Sequence, residues 1–194
     1  SAWYHMVFVY DSPQGTAANR LKMYVNGSQV TSFSTANYPT QNLEASVNDN
    51  YLHAIGSSAK TNIDWSGYLA EFYIIDGSAL TPSSFGETNA LTNQWQPKNP
   101  SDVKEGVTFG TNGFYLPFSN DALDDSFTDS SSGAHTITVA GDTKNTRISN
   151  HSVAANADAH IIGPKVGSSA IAFDGSGDYL SMPASTDWDI TGDY

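Results

Sequence analysis

The chain has 194 residues, enough for one full β-sandwich or two partial ones. A net charge of −12 with only 8 Lys and Arg excludes a phosphate-backbone binder, and the absence of cysteine excludes disulfides and thiolate metal sites. No apolar run reaches the ~18 residues of a membrane-spanning helix. Residues 2–10, AWYHMVFVY, are almost continuously apolar, with Trp3, His5, Val7 and Val9 alternating with Tyr4, Met6, Phe8 and Tyr10. They read as a central strand rather than a leader peptide, and His5 reads as a satisfied sheet histidine. Residues 19–33, NRLKMYVNGSQVTSF, are the clearest hairpin: Leu21, Met23 and Val25 alternate with Arg20, Lys22 and Tyr24, and Asn26-Gly27 supplies the turn.

Residues 34–50 are polar and read as a rim loop. Residues 51–58, YLHAIGSS, are the next strand, with His53 read like His5. Gly67–Ile75 reads as a strand with Tyr68, Ala70, Phe72 and Ile74 on one face and Leu69, Glu71, Tyr73 and Ile75 on the other. Asp76-Gly77 ends it, and Thr81 and Pro82 read as the cap and first position of a short helical turn closed by Phe85-Gly86. Residues 87–111 show no alternation and read as an ordered linker, with Trp95 as an anchor packed on a sandwich end. In 113–119, GFYLPFS, Phe114, Leu116 and Phe118 share one face, and Pro117 argues for an edge or a bulge. Further on, AIAF and YLSM read as a hairpin across Asp174-Gly175-Ser176-Gly177.

These motifs resemble a known family. The pair WYHMVFVYD and LKMYVNG, the strand GYLAEFYIIDG and the hairpin FDGSGDYL resemble laminin-G-like domains of the concanavalin A-like lectin/glucanase superfamily. The run through ALTPSSFGETNALTNQWQPK to GTNGFYLPF is similar to tandem versions in structural proteins of marine bacteriophages. The resemblance implies an all-β fold, an antiparallel two-sheet jelly-roll sandwich. It also implies an order: residues 1–86 as the carboxyl-terminal half of one sandwich, 87–112 as a linker, and 113–194 as the amino-terminal half of the next. On that reading the chain is a slice of a longer tandem protein with two separate incomplete sheets; a single sandwich built from both halves is the rival.

No hydrolase constellation appears. Glycoside hydrolysis needs two carboxylates, and Glu71 stands alone on its strand, so no catalytic residue is assigned. The five histidines have no metal-ligand spacing. Calcium, a hard cation that takes oxygen ligands, has two candidate sites: Asp174 and Asp178 with Glu71, and Asp121, Asp124, Asp125 and Asp129. The resemblance favours calcium there; turn-forming loop acids are the plainer reading. The expected function is a non-enzymatic virion structural protein, a tail, fibre or capsid-surface component. Its expected partners are other virion proteins, copies of itself and host-surface glycans, with no nucleic acid and no membrane span. The alternative is a carbohydrate-binding adhesin or an accessory module of a larger secreted, extracellular protein.

Overall fold

The Asn26-Gly27 pair makes the tight turn its sequence calls for. Both residues take positive φ, 49° and 80°, the twist that lets two antiparallel strands meet across two residues. The computed structural model describes residues 2–47, 50–57, 65–118, 128–140, 147–148, 170–174 and 179–182; for Ser66 and for residues beyond 138 the description is of the backbone alone. Among these residues the chain is mostly antiparallel β with little helix. It divides into two units, one built from the described residues of 2–45 and 77–108, the other from the described residues of 46–76 and 109–182.

In the first unit, β1 (Met6–Tyr10), β2 (Leu21–Val25) and β3 (Ser28–Gln29) form one sheet with β2 central. The register pairs Met6 with Val25, Phe8 with Met23 and Tyr10 with Leu21. β1 is thus an edge strand of this sheet rather than a central one. Residues 34–47 carry no element and are tied down by side chains: Tyr10 Oη donates to the Leu43 carbonyl at 2.5 Å and Arg20 Nη1 to the Pro39 carbonyl at 2.9 Å.

The expected helical turn is a single 3-10 turn, Pro82–Ser84, with Pro82 at its start. Thr81 does not cap it through its side chain; its hydroxyl is engaged with the Ser83 hydroxyl at 2.9 Å. The segment read as a linker is ordered but holds elements the sequence reading did not find. β7 (Gly86–Thr88) and β8 (Trp95–Pro97) pair as a hairpin, and α1 (Pro100–Gly106) follows. α1 has a clear local cause: Asn99 accepts the Ser101 N–H at 3.1 Å, and Pro100 fills a first-turn position where no N–H is needed.

Trp95 anchors this hairpin in its own unit. Its ring lies where the side chains of Gly27 and Gly86 would be, and a Cβ at Gly86 would come 2.6 Å from Cζ2. Its Nε1 donates to His5 Nδ1 at 3.0 Å. The reading of Trp95 as a packing anchor and of His5 as satisfied therefore holds, although His5 precedes β1 rather than lying in it.

In the second unit, β4 (His53–Ile55), β5 (Ser66–Leu69), β6 (Phe72–Ile74), β9 (Phe114–Leu116), β10 (Thr138–Ala140), β11 (Arg147–Ile148), β12 (Ala170–Asp174) and β13 (Tyr179–Met182) form three sheets. Their orders are β10-β13-β4, β11-β12-β5 and β6-β9. Ile171 pairs with Leu69 and Phe173 with Gly67; Leu180 pairs with Ile55; Tyr73 pairs with Tyr115. Two separate incomplete sheets, one per half, are not what forms. Strands after residue 113 pair directly with strands before residue 75, because an unpaired edge leaves a row of backbone groups unmet. The expected AIAF–YLSM hairpin is also corrected: β12 and β13 lie in different sheets, each central in its own, so neither has an edge left for the other. Residues 175–178, the expected turn, lie outside the described residues.

The expected single strand 67–75 is broken at Ala70-Glu71, where Glu71 takes φ 54°. One extra residue at such a break shifts the two-residue alternation. Leu69 packs on the same core as Phe72 and Ile74, together with Ile55, Phe114, Leu116, Phe118 and Ile137, while Tyr68 is exposed. The Phe72 and Phe114 rings stack at 5.9 Å. Leu69 and Tyr68 have thus exchanged the faces that simple alternation assigns them.

Gly27 and Gly77 both have positive φ, but a Cβ meets Trp95 at Gly27 and open space at Gly77. Gly77→Ala is expected to cost about 1 kcal/mol of backbone strain. Gly27→Ala adds overpacking against the indole and should lose about 2–4 kcal/mol. Urea unfolding of the two variants side by side measures the difference.

Candidate functional site

The break at Glu71 turns its carboxylate onto two tyrosines. Tyr73 Oη donates to Glu71 Oε2 at 3.1 Å, and Tyr115 Oη donates to the same oxygen. Tyr73 and Tyr115 face each other across β6 and β9, their rings stacked at 4.3 Å and 4°. Tyr115 is only 3% exposed. Burial, and then the charge and hydrogen bond of Glu71, push the Tyr73 hydroxyl well above its ordinary value. For Tyr115 the causes are burial, then its bond to Glu71 and that residue's charge. In this arrangement one carboxylate oxygen accepts from two neutral hydroxyls beside the strand break.

A second polar knot surrounds Asp129, itself buried. Its carboxylate accepts the N–H groups of Tyr115 at 2.9 Å, Ser131 at 2.8 Å and His135 at 2.9 Å, and the Ser131 hydroxyl at 2.9 Å. Asp129 thus organises a loop beside the start of β9, in keeping with the plainer reading of these acids as turn formers. Its companions Asp121, Asp124 and Asp125 lie outside the described residues, as does Asp178.

Of the other calcium candidates, Asp174 is described by its backbone and Glu71 in full. Asp174 pairs with Ser66 at one end of the β5–β12 ladder, and Glu71 lies beyond Leu69 at the other. Among the described residues no three His, Asp or Glu side chains form a metal-holding group. His53, read as a sheet histidine, is in β4, with Nδ1 2.7 Å from the Tyr51 carbonyl and Nε2 3.0 Å from that of Ser46.

The most extended feature of the first unit is an apolar face. On β1, Met6, Phe8 and Tyr10 point the same way, with Tyr4 preceding them; Phe8 is 65% exposed and Met6 50%. Across the ladder stand Val25, Met23 and Leu21. The opposite face is covered: Val9 is buried and His5 and Val7 are partly so. The sequence showed both faces to be apolar and gave no means of telling which one the chain itself covers. In the second unit, Trp65 and Tyr68 are exposed aromatics at 45% and 46%.

A laminin-G-like family model, described as Concanavalin A-like lectin/glucanases superfamily, matches residues 1–84. No curated protein and no solved structure matches the chain. The matched stretch contains WYHMVFVYD, LKMYVNG and GYLAEFYIIDG, three of the motifs that carry the resemblance; FDGSGDYL lies outside it. No helix among the described residues is long and apolar enough to cross a membrane.

Two outcomes test the polar cluster. Asp129→Ala strands several part-buried donors and should cost about 2–4 kcal/mol, read as a lower urea midpoint. Tyr73 and Tyr115 stay neutral in the fold to higher pH than in the unfolded chain, so their contribution is complete below the ordinary tyrosine value of 10.0 and is lost as pH rises above it. Stability should fall on going to alkaline pH, and Tyr115→Phe should flatten that fall in a denaturation series.

Proposed function

We propose that the chain is a non-enzymatic structural module of a bacteriophage virion, part of a tail, fibre or capsid surface. On this reading it uses antiparallel two-sheet jelly-roll sandwiches of laminin-G type for assembly. The observation that carries the reading is the exposed face of Tyr4, Met6, Phe8 and Tyr10 with Leu21 across the ladder. A contiguous apolar face of this kind marks an interaction surface. Its occupants on this reading are other virion proteins or further copies of the chain. The tandem-like order of motifs, similar to that of marine phage structural proteins, supports the virion setting.

The absence of catalysis is part of the proposal. Glu71 is the acid on the strand where a glucanase of this superfamily would need a pair, and its neighbours in sequence are Ala70 and, two residues on, Tyr73. Its carboxylate is occupied in holding Tyr73 and Tyr115.

A carbohydrate-binding adhesin is the second reading, favoured by exposed Trp65 and Tyr68, whose rings offer amphipathic faces to a sugar. One set of measurements separates the two. Sedimentation velocity over a micromolar concentration series should show association that Phe8→Asp abolishes and Trp65→Ala leaves intact. A monomer at every concentration, with glycan retention that Trp65→Ala removes, would replace the assembly reading by the adhesin.

A further inference from the structure

The contact between His5 and Trp95 works with only one protonation state of the imidazole. Indole Nε1 is a donor and nothing else, so the nitrogen it meets must offer a lone pair. That nitrogen is His5 Nδ1, 3.0 Å away, and the ring centroids are 5.8 Å apart at 40°. A proton on Nδ1 would set two donors against each other and place a cation on a partly buried ring.

We propose that His5 and Trp95 form a proton-released latch: at neutral pH the imidazole holds the indole across Gly27 and Gly86, and on acidification the indole leaves that seat and loosens the β7–β8 hairpin from the β2–β3 turn. The seat is specific to an unblocked ring, since a Cβ at either glycine would overlap it. The backbone of His5 is tied to the turn: its amide N–H donates to Asn26 Oδ1 at 2.9 Å, and the Asn26 amide N–H donates to the His5 carbonyl at 2.8 Å. The latch therefore joins the hairpin to the Asn26-Gly27 turn.

The charged groups on the surrounding elements are engaged elsewhere or further along the strands. Glu87 on β7 accepts from the Gln96 amide at 3.3 Å. Lys98, after β8, donates to the Ser83 carbonyl at 2.7 Å. Arg20, before β2, donates to the carbonyls of Gln14, Gly15 and Pro39. On the β2 strand, Tyr24 stands opposite Val7, one pair in from the His5 end of the ladder, and Lys22 stands opposite Val9, further along it. Burial lowers the His5 pKa from its ordinary 6.5, with no charge pairing among the causes. The sign follows. The folded state resists protonation more than the unfolded one, so the latch contributes fully above 6.5 and its contribution is lost as pH falls below it.

Nuclear magnetic resonance of the 194-residue chain tests this directly. The Trp95 indole N–H and the His5 ring proton are followed from neutral to mildly acid pH. Both should titrate with one midpoint below 6.5. Protection of the indole proton from solvent exchange, taken relative to the intrinsic rate at each pH, should fall about tenfold on acidification, the change for losing one hydrogen bond of typical net strength. His5→Asn, whose side-chain oxygen stands in for Nδ1, should keep the indole bond and abolish the response. An indole signal that does not move, that titrates apart from His5, or that titrates equally in His5→Asn overturns the latch. If His5→Asn does not fold, the two midpoints in the unaltered chain decide alone.

Discussion

The second unit depends on one residue held in a conformation that non-glycine residues rarely take. Glu71 sits at φ 54°, which costs about 1 kcal/mol in an ordinary side-chain residue. That break divides one run of sequence into β5, which joins β12, and β6, which joins β9. It also lets Leu69 and Phe72, three positions apart, reach the same core. Without the extra residue one of the two would face away. The hydroxyls of Tyr73 and Tyr115 converge on the carboxylate of the same residue, so the strained position is fastened by its own side chain. The fastening uses a tyrosine from each strand of the β6–β9 pair, and so ties the break to the ladder that begins after it.

The first unit solves a different problem. Its sheet has apolar residues on both faces, one of them partly buried. Trp95 packs against the Asn26-Gly27 turn and His5, and two glycines leave the room it needs. The indole N–H would be an unmet donor on a partly buried ring if His5 were absent. A histidine that looks incidental in the strand pattern is thereby required by a tryptophan ninety residues later.

Much of this was legible in the sequence, for reasons that separate cleanly. The Asn26-Gly27 hairpin, the 3-10 turn at Pro82 and the core face of Phe114, Leu116 and Phe118 follow from local rules, and all appear. The partition of the chain did not follow. Motif order suggested two half-sandwiches, whereas backbone pairing joins Gly67 to Phe173 and Ile55 to Leu180. Which strand an edge finds is a long-range choice that period-2 patterning does not encode. The Glu71 break was hidden because Gly67–Ile75 alternates well enough to pass as one strand, with no glycine or proline to mark the fault. α1 was overlooked although Asn99-Pro100 is a good helix start, because seven residues are too few to show a periodic face. The Glu71–Tyr115 contact joins residues 44 positions apart and has no local signal at all.

The separation of β12 and β13 into different sheets bears on how the chain acquires its shape. Each strand is the middle member of a three-stranded sheet whose outer members come from far earlier and from nearer in the sequence. β4, at residues 53–55, has its ladder partner at residues 179–182, so its edge waits for a strand that comes much later in the chain. The β1–β2–β3 meander closes over fewer than thirty residues and has no such delay. Contacts of high sequence separation slow folding because loop closure must precede the contacts that reward it. During synthesis, then, the meander takes form early, while β4, β5 and β6 stand as unmatched ribbon until the later strands arrive. That interval is when the apolar stretch around Phe72–Ile74 is most open to wrong partners, and when a chaperone or a neighbouring chain has its longest opportunity to act.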